Sequence, residues 1–103
     1  MRASKKFHLW DLPDSIYVML EDATNKIFFN KMYNRFESRR QYSKFLKLDP
    51  STVREYDIRS GTKKKKEYVQ YIPIWVLKKS KQFLNVNEIK TIERGMLAYR
   101  PRA

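Results

Sequence analysis

The chain has 103 residues, of which 42% are apolar, and this suits one domain with one modest core. It contains no cysteine and a single histidine, His8, so neither a disulfide framework nor a thiolate metal site is expected. Basic residues number 23 against 11 acidic ones, a formal net charge of +12, which favours a polyanionic partner. No apolar run approaches the ~20 residues of a membrane span, and no signal peptide is visible, so we expect a cytoplasmic protein.

The sequence divides into a basic tail at 1–10, a single domain at 11–97 and a second basic tail at 98–103. The first tail carries Phe7 and Trp10, which could dock on the domain. His8 is interpreted as a surface residue, because one histidine without partners cannot hold a metal.

The first part of the domain is predicted to be helical from about residue 14 to residue 36. A turn at 11–14 precedes apolar residues at helical spacing, namely Ile16, Met19, Leu20, Ala23 and Ile27, and then Phe28, Met32 and Phe36. Whether 14–36 form one helix or two stays open, and 27–29 also fit a strand. This stretch is expected to cover the core of the segment that follows.

Residues 39–56 are predicted to form two short helices joined by a tight turn. Ser38 can cap the first helix, in which Tyr42, Phe45 and Leu46 share one face. Asp49-Pro50 starts the second helix, because aspartate caps free N–H groups and proline fits the first helical position. Val53 and Tyr56 then share its inner face. Such a pair is a helix-turn-helix, although an ordinary antiparallel helix pair would show the same apolar spacing.

The stretch from Ser43 to Tyr56 resembles the Cro/repressor-type helix-turn-helix. Ser43 occupies the position of the usual small alanine, and Leu46, Leu48, Val53 and Tyr56 occupy the inward positions. Lys47 replaces the usual turn glycine, where a positive φ is common and a non-glycine residue costs energy. The resemblance implies a mainly α (all-α) helix-turn-helix bundle of about five helices that binds duplex DNA.

The remaining chain is predicted to hold a basic loop and two more helices. Residues 60–67 form the loop and include four consecutive lysines. Residues 56–60 and 68–72 could pair as a short β wing that follows the second helix of the helix-turn-helix. Alternatively, 68–72 could be an extended segment that leads into the next helix. Pro73 starts an amphipathic helix that reaches Leu84. Asn85 and Glu88 have the spacing of a capping box for a last helix, which Gly95 ends.

A narrower resemblance is carried by three runs, Ile72–Lys79, Asn87–Lys90 and Ala98–Arg100. They are similar to the helix-turn-helix segment that precedes archaeal LAGLIDADG homing endonucleases and that also occurs in free-standing archaeal relatives. The resemblance implies DNA targeting. It does not imply nuclease activity, because the sequence holds no nuclease motif.

These features predict a double-stranded DNA-binding protein, either a transcriptional regulator or a DNA-targeting module, with a recognition helix at about 50–59 in the major groove. Residues 35–66 carry 11 basic and 4 acidic residues, a net charge of +7. The predicted DNA-binding residues are Arg39, Arg40, Gln41, Lys44, Ser51, Thr52, Arg54, Glu55, Arg59, Lys63, Lys64, Lys65 and Lys66. Arg54 would contact a guanine edge and Glu55 a cytosine, while the other basic residues would hold phosphates.

The sequence is also compatible with other functions and partners. An RNA-binding protein stays open, because the aromatic residues could stack unpaired bases, and so does a protein-interaction module that uses the last helix. The basic charge could also be a solubility surface. An enzyme is not expected, since the acidic cluster of Asp11, Asp14, Glu21 and Asp22 fits helix capping and the helix dipole. No cofactor, metal, membrane or small-molecule substrate is predicted. The sequence does not decide whether the protein is a monomer or a homodimer.

Overall fold

The computed structural model describes residues 8–57 and 71–101. Within them the protein is mainly helical, with a small antiparallel sheet, which confirms the predicted fold class. Its helices are α1 (Asp22–Phe36), α2 (Arg39–Leu46), α3 (Pro50–Asp57), α4 (Ile74–Ser80) and α5 (Val86–Arg94). Its strands are β1 (Ile16–Leu20), β2 (Ile72–Pro73) and β3 (Met96–Pro101), and 3-10 turns cover Leu9–Asp11 and Lys81–Phe83. Most of the stretch predicted as a β wing lies outside the described residues.

The first strand corrects the prediction of a helix from Ile16 onward. The segment Ile16–Leu20 is extended, and Val18 and Leu20 are 0% exposed, which is the period-two burial of a strand with one face on the core. Its first three residues are β-branched or aromatic, and such residues favour extended backbone. Helix α1 begins only at Asp22 and runs unbroken to Phe36, so one helix rather than two forms here, and it includes 27–29.

The last strand corrects the assignment of 98–103 to a tail. Met96–Pro101 pairs antiparallel with β1, from Ile16 opposite Pro101 to Leu20 opposite Met96, with an irregularity beside Met19. β2 pairs with the other edge of β1, so the strand order is β2-β1-β3. The strands come from three distant parts of the chain, and β1 lies between the other two.

The N-terminal stretch is part of the domain from at least His8 onward, so the predicted tail is shorter than residues 1–10. Leu9 is fully buried, and the Trp10 indole Nε1 donates to the Ile89 carbonyl across 3.3 Å, which confirms that Trp10 docks. His8 lies on the surface as predicted, with Nδ1 3.1 Å from a Glu93 carboxylate oxygen.

The two C-terminal helices begin largely where the sequence places them. α4 starts directly after Pro73 but ends at Ser80, and a 3-10 turn replaces its predicted continuation to Leu84. α5 begins with the predicted capping box of Asn85 and Glu88, in which each side chain accepts from the other's backbone N–H. Gly95 ends α5, as predicted, and lies so close to α1 that a Cβ there would overlap the Thr24 side chain.

Helix α1 is the central element of the described bundle. On one side it meets α5, through the Thr24–Gly95 approach and a 3.2 Å ion pair between Lys31 Nζ and Glu88 Oε2. On another side it meets α2 and α3, and the rings of Phe29 and Tyr42 lie 6.4 Å apart there. The short helices α2 and α3 are therefore held on a larger scaffold, and their outer surface is left accessible.

Candidate nucleic-acid interface

The turn between α2 and α3 is built around Lys47, the residue that stands where the motif usually has glycine. Lys47 adopts the left-handed conformation, with φ 62° and ψ 40°. Its N–H donates to the Lys44 carbonyl across 3.1 Å, and the Leu48 N–H donates to the Ser43 carbonyl across 3.0 Å. These two bonds form a Schellman motif, which satisfies the last carbonyls of α2. α3 then begins at Pro50, as predicted.

The inward positions of α2 and α3 are filled as the pattern requires. Tyr42, Leu46 and Val53 are at most 2% exposed. Ser43, at the small-residue position, is buried as well, and its hydroxyl donates to the Arg39 carbonyl across 2.8 Å. That bond explains why a serine is tolerated there, because a buried hydroxyl without a partner is costly.

Tyr42 also connects the pair to α4. Its hydroxyl lies 2.6 Å from Ser80 Oγ, and Ser80 donates its own proton to the Val76 carbonyl, so Tyr42 is the donor. Burial raises the pKa of Tyr42 well above its usual range. The hydroxyl therefore keeps its proton and fixes α2 on α4.

Most of the described candidate DNA-binding residues are exposed. Arg40, Gln41 and Lys44 are exposed on α2, and Ser51, Arg54 and Glu55 are exposed on α3. Ser38 caps α2 by accepting from the Gln41 N–H across 3.1 Å, as predicted. Thr52 is half-buried. Arg59, Lys63, Lys64, Lys65 and Lys66 lie outside the described residues.

Arg39 differs from the other candidates because its guanidinium already has partners within the protein. Its Nη2 lies 3.2 Å and its Nε 3.3 Å from Asp57 Oδ2, and Nε also lies 3.3 Å from the Tyr33 hydroxyl. The Tyr33 hydroxyl donates to the same Asp57 oxygen. Burial and the Asp57 carboxylate raise the pKa of Tyr33 well above its usual range, so the donor stays protonated.

A second polar contact holds the same end of α3. Asn25, which is 0% exposed, donates through Nδ2 to the Tyr56 carbonyl across 3.2 Å. That carbonyl lies in the last turn of α3, where helical partners are missing. Asn25, Tyr33 and Arg39 therefore fix the C-terminal end of α3, and we call these three residues the α3 clamp.

Sequence reasoning did not find the α3 clamp. Neither Asn25 nor Tyr33 was predicted to contact another helix. One signal was available: Asn25, Phe29 and Tyr33 follow each other at spacing four, which puts two polar groups on the inner face of a helix. Such groups need partners, although the spacing does not say which ones.

The described part of the region 35–66 carries less net charge than the region as a whole. Residues 35–57 hold six basic and four acidic residues, a net charge of +2. One of these charge pairs, Arg39 with Asp57, is satisfied internally. The five remaining basic residues of 35–66 follow α3 in the sequence, outside the described part.

The described residues hold neither a metal-binding cluster nor a membrane-spanning helix. No three His, Cys, Asp or Glu side chains in 8–57 and 71–101 form a group that could hold a metal ion. None of the helices in those ranges is both long and apolar enough to cross a membrane.

Comparisons with known proteins found no match, whether with protein-family models, with curated proteins or with solved structures. A function for this chain is therefore inferred from its own residues.

Proposed function

We propose that this protein binds double-stranded DNA through its helix-turn-helix, as a transcriptional regulator or a DNA-targeting module in the cytoplasm. The recognition helix would be α3, and it would enter the major groove. The last two residues of the predicted recognition helix, 58 and 59, lie outside the described residues. The observation that carries the proposal is the Schellman turn at Lys47. It joins two short helices at the family's spacing while the outer residues of both helices stay exposed.

The exposed residues of α3 supply groups that read base edges. Arg54 presents a planar fork of donors, which matches the O6 and N7 acceptors of guanine, and Glu55 can accept from the cytosine amino group. Ser51 and Thr52 lie in the first turn of α3, the part of a recognition helix that contacts bases. These residues would provide sequence selection.

The exposed residues of α2 supply groups that hold phosphates. Arg40, Gln41 and Lys44 can donate to phosphate oxygens and so set the register of the protein on the duplex. The basic residues Arg59 and Lys63 to Lys66 are proposed to hold phosphates as well, because they are positively charged. Arg39 enters it differently, as a positioning residue, because Asp57 and Tyr33 occupy its donors.

The test is a binding titration with three pools: random duplex DNA, the matched single-stranded DNA, and RNA. Each pool is titrated at several salt concentrations, and the bound duplex fraction is sequenced. The proposal expects preferred binding to duplex DNA, a steep decrease of affinity with salt and an enriched sequence motif. Tighter binding to RNA would favour the RNA-binding alternative, and equal binding to all pools without enrichment would remove the recognition role of α3.

A further inference from the structure

The sheet presents a second accessible surface that lies outside the helix-turn-helix. Tyr17 on β1 is directly opposite Arg100 on β3, so the two side chains point to the same face. The next residue of β1, Val18, is opposite Ile72 on β2 and points to the core, and both side chains are 0% exposed. Tyr71 precedes Ile72 and by alternation lies on the outer face with Tyr17. We call Tyr17, Tyr71 and Arg100 the sheet surface.

Arg100 is held in place on this surface while its charge stays available. Its guanidinium carbon lies 4.2 Å from the centroid of the Tyr71 ring, and the residue is exposed. Among the residues that the structure describes, none of the ion pairs involves Arg100. A guanidinium stacked on an aromatic ring keeps its N–H edges free, and it is pre-organised for two hydrogen bonds to a phosphate.

The strand that carries Tyr17 leads directly into the helix turn that contacts the C-terminal end of the proposed recognition helix. The Tyr56 carbonyl accepts from Asn25, and Asn25 lies in the first turn of α1, directly after β1. The chain therefore passes from the last residue of β1, Leu20, to a contact with the end of α3 within five residues. Burial, and after it Tyr17, raise the pKa of Tyr56, which is consistent with this arrangement.

We propose that the sheet surface binds the phosphate backbone of the duplex whose major groove is occupied by α3. Arg100 donates to a phosphate that flanks the base contacts, and the Tyr71 ring holds the guanidinium in place. Charge complementarity supports this partner, since Arg100 is exposed, none of the ion pairs among the described residues includes it, and the protein has a net charge of +12. The inference rests on the proposed function and adds a binding residue to it.

The test measures the salt dependence of the full-length protein and its Arg100→Gln variant on the selected duplex. Removing one phosphate contact lowers the slope of log K against log salt by about 0.9, so the affinity loss between about 50 and 200 mM salt becomes about 3.5-fold smaller. The affinity for all duplex sequences should decrease to the same extent, because a phosphate contact carries no sequence information. Arg100→Lys keeps the charge and should retain the slope while it lowers affinity, because lysine lacks the planar fork.

The matched control is Lys90→Gln. It also removes one exposed positive charge, but Lys90 lies on α5, which packs on the Thr24 and Lys31 side of α1 and not on the α3 side. Lys90→Gln should leave the slope unchanged. Far-UV circular dichroism of each variant checks that the fold is retained.

Three outcomes would overturn the inference. If Arg100→Gln retained the slope of the parent protein while Arg54→Ala lost sequence selection, the sheet surface would be excluded and the proposed function would stand. If Lys90→Gln lowered the slope as much as Arg100→Gln, the effect would be one of net charge. If the parent protein did not bind duplex DNA at all, the proposed function would fail and this inference with it.

Discussion

Arg39, the first residue of α2, donates through Nη2 to Asp57, the last residue of α3, across 3.2 Å. The two helices are therefore joined at both ends, by the Lys47 turn on one side and by this ion pair on the other. The Asp57 side chain is 9% exposed and the Arg39 side chain 38%. Since the carboxylate also accepts from Tyr33, its loss leaves two donors without their partner.

Asp57→Ala should lower the free energy of unfolding by about 1.5–3 kcal/mol, the range for a hydrogen bond to a charged group. Urea denaturation measures the change, and Glu55→Ala is the control because Glu55 is exposed on the same helix. A double-mutant cycle of Asp57→Ala with Arg39→Ala should give a coupling energy of about 0.5–3 kcal/mol. A coupling near zero would mean that the ion pair does not hold α3.

The adjacent residues Arg39 and Arg40 should behave differently, although both are arginines at the start of α2. Arg40→Gln should leave stability unchanged and lower the salt slope of duplex binding by about 0.9, because Arg40 is exposed and assigned to a phosphate. Arg39→Gln should instead destabilise the protein in urea, since it breaks the contacts with Asp57 and Tyr33. Equal stability of the two variants would contradict the α3 clamp.

Lys47→Gly should raise the free energy of unfolding by about 0.5–1 kcal/mol, because glycine adopts the left-handed conformation without a Cβ clash. Lys47→Ala removes the same charge and keeps the clash, so it serves as the control. The comparison is made by urea denaturation. If alanine stabilised the protein as much as glycine, the gain would come from charge and not from backbone conformation.

Stability should decrease in alkaline solution through Tyr33 and Tyr42. Burial raises the pKa of both tyrosines in the folded protein, while unfolded tyrosine titrates near pH ~10. Above about pH 10 the unfolded chain loses protons that the folded protein retains, so the free energy of unfolding falls by up to about 1.4 kcal/mol per pH unit for each tyrosine. Below that pH these groups cause no such decrease.

The measurement is urea denaturation between about pH 9 and 11, the range around the unfolded pKa of tyrosine. Tyr42→Phe should show a shallower decrease than the parent protein, because one of the two titrating groups is gone. Contributions that the two proteins share cancel in the comparison. Parallel pH profiles would show that Tyr42 does not contribute.

The sequence was most informative where the signal is local. The Ser38 cap, the start of α3 at Pro50 and the capping box at Asn85 were all predicted, and each depends on residues within a few positions. The spacing of apolar residues also identified Val53 as a core position. Local backbone chemistry determines these features, so a short window contains the whole cause.

The sequence was least informative where partners are distant. The segment Ile16–Leu20 becomes a strand because β2 and β3 pair with it, and β3 begins 76 residues after Leu20. Within its own window Ile16, Met19 and Leu20 also have helical spacing, and this spacing led to the wrong prediction. In the candidate site, Arg39 lies on the outer face of α2 by spacing, yet its long side chain reaches Asp57, 18 residues further along the chain. Helical spacing gives the face of a residue but not the reach of its side chain.

The central claim is that α3 reads base sequence while α2 holds phosphates. The most direct measurement compares the parent protein, Arg54→Ala and Lys44→Ala in duplex selection and in affinity for the selected site. Arg54→Ala should cost about 1–3 kcal/mol on the preferred site and relax the motif at one position, whereas Lys44→Ala should weaken all sequences alike and reduce the salt slope by about 1. If both variants changed affinity equally on every sequence and left the motif intact, α3 would not be a recognition helix.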